Sequence, residues 1–228
     1  LNRSDIGELE PDLAGRFEQA LFFADEAHLD PRAALAALAQ RLEDMGGRIR
    51  YGTDVSTVRH GTRQVIDCTG LAARRTLPDL RGVKGEMLVL HAPDVSISRP
   101  VRVLHPRIPL YVVPRGEGVF IVGATMIESD DASRITARSM LELLSAAYAL
   151  HPAFAEAEIV EIGTQVRPAF PDHLPRIQRV DGALSVNGLY RHGFLLAPAL
   201  ARRVAGVLLD HQHYPELMHE SARERRLA

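Results

Sequence analysis

The 228-residue chain is 46% hydrophobic and 25% charged, an ordinary globular balance with enough length to bury a sizeable core. Its 27 Lys and Arg against 29 Asp and Glu leave a net charge of −2, which argues against a nucleic-acid partner or docking on an acidic membrane. A single cysteine, Cys68, excludes a disulfide framework and a cysteine-based metal cluster, and no apolar run approaches the ~20 residues that span a bilayer.

Residues 1–11 are polar and acidic, with no apolar leader, so a cytoplasmic location is expected. Asp30 as N-cap, Pro31 in the first turn and Gly46-Gly47 past the end delimit a helix, with Leu35, Leu38, Leu42 and Met45 on one stripe. Short strands are expected at 48–51, 55–59 and 64–68, and 78–82 reads as a loop. From 86 to 126 the pattern is a meander of strands at 87–91, 101–104, 110–113 and 119–125, with Gly116-Glu117-Gly118 as the clearest hairpin signal. A second helix at 136–149 carries Met140, Leu144 and Ala147 on one face and stops at His151-Pro152. A long alternating strand follows at 156–166, then a short one at 184–187 and a third helix at 195–209 that tolerates Pro198 in its first turn. Residues 211–228 read as a mobile or loosely docked tail. Helix-with-sheet features open and close the chain around an antiparallel middle, the pattern of an α+β protein in which one domain interrupts another.

The histidines, His151, His173, His192, His211, His213 and His219 among them, are scattered without the spacing or partners of a metal site, so no metal is expected. Neither a hydrolase nucleophile elbow nor a phosphate-binding lysine loop is present. Arg167 ends the long strand amid apolar and proline residues, and an arginine there needs an anionic partner. That partner is either internal, Asp172 or Glu161, or the carboxylate of a ligand held by the guanidinium fork. Tyr111, mid-strand, reads as a core residue with its hydroxyl at the rim. Residues 187–198 (Asn-Gly-Leu-Tyr-Arg-His-Gly-Phe-Leu-Leu-Ala-Pro) run from a strand through a glycine-punctuated turn into a helix. The unpaired amides of such a helix start suit an anion or an electron-rich ring edge, though a tight connection needs glycines too. Thr69-Gly70, after the strand at 64–68, is a weaker signal of the same kind.

With those segments in place, the chain resembles the flavin-dependent amine oxidoreductases of the D-amino acid oxidase group, and is most similar to glycine oxidases of the thiamine pathway. The resemblance rests on residues 29–32, 65–71, 82–86, 110–115, 121–126, 166–168 and 190–198, which run in family order over about residues 1–212. It departs from the family in lacking the Gly-x-Gly-x-x-Gly turn that seats the FAD pyrophosphate, so this chain is expected to bind FAD poorly or not at all. Leu189 is a smaller departure, where relatives often carry Gly or His.

The resemblance implies a substrate-binding antiparallel sheet domain beside an incomplete, Rossmann-like FAD-binding domain. The edge of the substrate domain would be 1–28, followed by part of the FAD domain at 29–82. The substrate domain proper would be 83–166, with a return to the FAD domain at 167–210 and a tail at 211–228. It further implies that Arg167 clamps the substrate carboxylate, that Tyr111 touches the same group and that Arg191 is a second arginine at the substrate end. Met126 would be a pocket wall. Val55 and Gly70 would lie near the adenine half of FAD, Thr69 would be a further cofactor-binding residue, and His192, Gly193, Phe194 and Leu195 would lie near the flavin ring. The implied activity is oxidation of a small amino acid, with dioxygen or another acceptor taking the electrons and with no nucleic acid involved. A homo-oligomer is left open. Within the same group a D-amino acid dehydrogenase or a sarcosine-type oxidase is the alternative, and outside it a non-catalytic carboxylate-binding remnant.

Overall fold

The computed structural model describes residues 1–54, 64–104 and 110–218. In chain order its elements are α1 (Arg3–Leu9), α2 (Pro31–Asp44), β1 (Ile66–Asp67), β2 (Arg81–His91), β3 (Val101–Val103), β4 (Leu110–Pro114), β5 (Val119–Gly123), α3 (Ala137–Leu150), β6 (Glu158–Ala169), β7 (Arg176–Val180), β8 (Ala183–Asn187) and α4 (Gly193–Leu209). Short 3-10 turns occupy Pro11–Leu13, Gly70–Arg75 and Pro152–Glu156. The chain divides into two compact units. The first is Leu1–Asp30, Lys84–Ile127 and Ala132–Gln165; the second is the described part of Pro31–Val83, Glu128–Asp131 and Val166–Ala228. The architecture is α+β, as the sequence pattern implied.

The first unit is built on a sheet of order β3-β4-β5-β2-β6, antiparallel across β3, β4, β5 and β2. Arg115 donates its N–H to the Val119 carbonyl at 2.8 Å, closing the β4–β5 hairpin through Gly116, Glu117 and Gly118, all at positive φ. Leu88, Leu90, Val112, Phe120 and Val122 alternate onto one buried face and meet Leu143, Ala147 and Leu150 of α3. Met140 and Leu144, expected with Ala147 on one face of α3, pack partly buried against this core. Thr136 caps α3 by accepting the Ser139 N–H at 3.2 Å. Asn2 and Asp5 form a reciprocal capping box on α1, a helix the sequence reading did not anticipate.

The second unit holds a sheet of order β1-β8-β7, with β1 parallel to β8 and β7 antiparallel to it. Leu200, Val204 and Val207 of α4 pack on Ile177, Leu184 and Val186. The predicted tail is docked as far as Met218. Ile177 donates its N–H to the Leu217 carbonyl at 2.8 Å, and Tyr214, Leu217 and Met218 join the α4 core. The expectation of a loose tail is therefore corrected for 211–218, because three apolar side chains there outweigh the surrounding charge.

Other expectations need correction. Residues 48–51 form no strand; a turn at Tyr51 and Gly52, with Gly52 at φ +62°, interrupts the run. The strand expected at 55–59 lies outside the described residues. The loop expected at 78–82 gives way to β2 at Arg81. Gly82 is there for close approach: an added Cβ would lie 2.6 Å from Val166 and 2.7 Å from Asp130. Helix α2 forms where predicted, yet none of its residues is buried.

Candidate active site

In the second unit the parallel strands β1 and β8 end side by side, and the carboxyl ends of parallel strands are where open α/β sheets bind ligands. Asn187, buried at the end of β8, ties the two ends together: its Nδ2 donates to the Gly70 carbonyl and its Oδ1 accepts the Gly188 N–H, each at 2.8 Å. Thr69 donates its N–H to Asp67 Oδ1 at 2.9 Å, shaping the turn that Gly70 completes at φ +62°. Gly188, at φ +80°, has no room for a side chain, since an added Cβ would sit 2.3 Å from the Phe170 ring. The glycine-punctuated turn is thus set by sterics as well as by backbone freedom.

From Gly188 the chain passes through Leu189, Tyr190 and Arg191 to His192, the N-cap of α4. The His192 side chain makes no capping hydrogen bond, so it leaves the amides of Gly193, Phe194 and Leu195 at the helix's positive end. Phe194 is 49% and Leu195 77% exposed, which opens this helix start to a ligand.

Arg167 on β6 and Arg191 before α4 are brought into relation through their neighbours: the Tyr190 N–H donates to the Pro168 carbonyl at 3.1 Å. Asp172, one of the internal partners considered for Arg167, is engaged by Arg176 at 3.1 Å, and that guanidinium also lies over the Phe170 ring at 4.1 Å. Burial opposes ionisation of Asp172, but the Leu174 N–H and Arg176 outweigh it and hold the carboxyl below the usual range.

Tyr111 and Met126 belong to the first unit. Tyr111 on β4 pairs with Gly123 on β5, and an added Cβ on Gly123 would fall 2.7 Å from the Tyr111 hydroxyl. Met126, 43% exposed, lies in a segment clamped to the β2 backbone. Lys84 and Ile127 exchange N–H···O bonds at 2.8 and 3.0 Å, and Thr125 donates its N–H to the Glu86 carbonyl at 3.1 Å. The Thr125 hydroxyl also donates to Glu86 Oε2 at 3.0 Å. Glu86 and Lys84, 0% and 3% exposed, form a buried pair at 3.5 Å, and Lys84 Nζ donates to Ser133 Oγ and the Arg134 carbonyl. Sequence reasoning assigned this pair no role; its signal was that Lys84 is the only lysine in the chain.

A hollow of about 580 Å³ in the first unit is lined by apolar residues including Phe17, Phe22 and Leu104, and by none of the predicted site residues. Its arginines are paired internally, Arg99 with Glu10 and Arg102 with Glu26. Among the described residues no three His, Cys, Asp or Glu side chains group as a metal site, and no helix is long and apolar enough to cross a membrane. Val55 lies outside the described residues.

A family model described as FAD dependent oxidoreductase matches residues 1–206. A Rhizobium etli protein, provisionally named thiamine biosynthesis oxidoreductase ThiO, is 60% identical over 217 residues, covering 95% of this chain and 66% of its own length. A Bacillus licheniformis glycine oxidase is 26% identical over 251 residues, covering all of this chain and 67% of its own. Among solved structures, a Bacillus cereus glycine oxidase shares the fold at a TM-score of 0.82 and 21% identity, over 94% of this chain and 66% of that one. The chain therefore spans about two thirds of the length of these relatives.

Proposed function

The chain belongs to the FAD-dependent oxidoreductase family, and from that premise we propose that it carries the substrate-binding and part of the flavin-binding machinery of a glycine oxidase-like enzyme serving thiamine thiazole formation. The names of its relatives support this reading. In it, residues 1–28 and 83–166 are the substrate domain, and 29–82 with 167–210 are the flavin-binding part. A cytoplasmic location is part of the same proposal.

The residues present fit the cofactor. An uncapped helix start, and a glycine turn braced by Asn187 at the ends of two parallel strands, are features a dinucleotide and its flavin ring would use. Thr69 and Gly70 would hold the nucleotide side, with Val55, and the amides of Gly193, Phe194 and Leu195 would meet the ring edge beside His192, whose own N–H is donated to the Leu189 carbonyl at 3.0 Å. When bound, FAD would take the electron pair from the amino acid's α-carbon and pass it to dioxygen or another acceptor. Arg167 and Arg191 would grip the carboxylate through charge-assisted hydrogen bonds, Tyr111 would add its hydroxyl, and Met126 would wall the pocket. The chain's own contribution is then mainly orientation.

The observation that carries this reading is the Tyr190–Pro168 hydrogen bond, which joins the two arginine-bearing segments beside the uncapped start of α4. The test is turnover of glycine, sarcosine and D-alanine by the full-length protein, read as peroxide and oxoacid release. Bound flavin, glycine turnover and a loss of about 10²-fold in kcat/KM for Arg167→Leu with the flavin retained are expected. Flavin without turnover of any of the three, or an unaffected Arg167→Leu, overturns it. Faster sarcosine turnover shifts the reading to a sarcosine-type oxidase, oxoacid from D-alanine without peroxide, formed only with an added electron acceptor, shifts it to a D-amino acid dehydrogenase, and a colourless protein leaves the carboxylate-binding remnant.

A further inference from the structure

We propose that Tyr190 and His173 form an aromatic brace that positions Arg191, making both of them positioning residues for the substrate carboxylate. This rests on the reading of Arg191 given above.

Five non-glycine residues among those described have positive φ: Glu117, His173, Asp181, Tyr190 and His211. Such backbones are uncommon outside glycine and need a local reason. Glu117 and Asp181 close the hairpins between β4 and β5 and between β7 and β8, and His211 follows the end of α4. His173 and Tyr190 close no hairpin and end no helix, yet they sit against each other. Their rings stack at 4.6 Å between centroids and 26° between planes. Two left-handed residues from separate loops, held face to face, indicate that the contact itself maintains the two backbones.

The brace is anchored on both sides. The Arg81 guanidinium lies 3.4 Å from His173 Nδ1 and 3.3 Å from Nε2, and Arg81 is in turn paired with Glu128. The His173 N–H donates to the Phe170 carbonyl at 3.0 Å and the Tyr190 N–H to the Pro168 carbonyl at 3.1 Å, so both loops are also tied to the end of β6. Arg191 is the next residue after Tyr190. A rotation of the Tyr190 backbone out of its left-handed conformation would swing the Arg191 side chain, because φ and ψ at one residue set the direction of the next. Nothing in this arrangement requires Tyr190 or His173 to touch the substrate.

Strain and positioning separate in one variant. Glycine accepts φ +59° without steric strain, so His173→Gly relieves the loop while removing the stack. The test uses the full-length flavoprotein with three readouts: kcat and KM for glycine, the dissociation constant of acetate from its perturbation of the flavin absorbance, and the thermal midpoint. His173→Gly is expected to melt no lower than wild type, yet to weaken acetate binding and raise KM about tenfold with kcat within about twofold. Tyr190→Ala should weaken acetate similarly, and Tyr190→Phe, which keeps the ring, should restore wild-type KM. If His173→Gly and Tyr190→Ala bind acetate as tightly as wild type, the brace has no positioning role and the proposal is overturned. If the wild-type protein neither turns over glycine nor responds to acetate, the reading of the site fails and the proposal falls with it.

Discussion

The Tyr111 hydroxyl occupies the space that any side chain on Gly123 would need, 2.7 Å from the position of its Cβ. The two residues are cross-strand partners on β4 and β5, so the tyrosine ring lies over a residue chosen for having nothing there. Gly123→Ala is expected to push Tyr111 aside and to cost about 1–3 kcal/mol in urea denaturation, as overpacking does. An alanine variant as stable as wild type, with the tyrosine fluorescence unchanged, would contradict this.

Asn187 bridges the ends of β1 and β8 from a buried position. Asn187→Ala leaves the Gly70 carbonyl and the Gly188 N–H without that partner, a loss of about 1–3 kcal/mol. Chemical denaturation would measure it, and full-length protein carrying the change should release flavin more readily.

Breaking the Lys84–Glu86 pair leaves one charge buried. Glu86→Ala is expected to cost about 3–5 kcal/mol, whereas replacing both residues by methionine should cost far less. Equal losses in the single and double variants would show that the attraction between the two charges matters little.

Leu35, Leu38 and Leu42 of α2 and Met45 just past its end stand 49–72% exposed. A contiguous apolar stripe of this kind drives association. The chain is expected to self-associate with rising concentration in sedimentation experiments, and Leu38→Glu with Leu42→Lys should reduce the effect. A monomer at every concentration would remove the stripe's significance.

Cys68 and Asp172 each carry a pH signature. Burial, with a smaller contribution from Asp67, raises the Cys68 thiol. Cys68 should therefore react with a disulfide reagent more slowly at pH 8 than a free thiol, and faster reaction would contradict the shift. Asp172 is held below the usual carboxylate range, so its contribution to stability is present above the ordinary carboxylate pKa and lost as pH falls through the lowered value. Asp172→Asn should lower the thermal midpoint at neutral pH, with the difference closing only in strong acid. Because the Asp172 side chain is 39% exposed, solvent screens the pair and the effect should be small.

Much of the architecture was legible because its signals are local. The Asp30-Pro31 start and the glycine stop bounded α2, and Gly116-Glu117-Gly118 announced the β4–β5 hairpin. Period-two alternation marked β6, three residues short at its far end. Where reading failed, the decisive contact was distant in sequence. Strand β7 shows no signal of its own and exists because β8 pairs with it. Gly82 looked like a loop residue, yet it serves a close crossing with Val166 and Asp130. The docked stretch at 211–218 reads as charged until Leu217 and Ile177 are seen to share a hydrogen bond.

The same division runs through the candidate site. Residue order alone marked the glycine turn before α4 and singled out Arg167, since an arginine among apolar neighbours and a glycine-punctuated run from strand into helix are visible in the sequence. Folding alone revealed that Asn187 reaches back to Gly70, that Tyr190 hydrogen-bonds beside Arg167 and stacks on His173, and that Lys84 and Glu86 are sealed together. Each of those contacts joins segments separated by a chain reversal or an entire strand, except the last. There the partners are two residues apart and only burial, a property of the packed molecule, gives the pairing its weight.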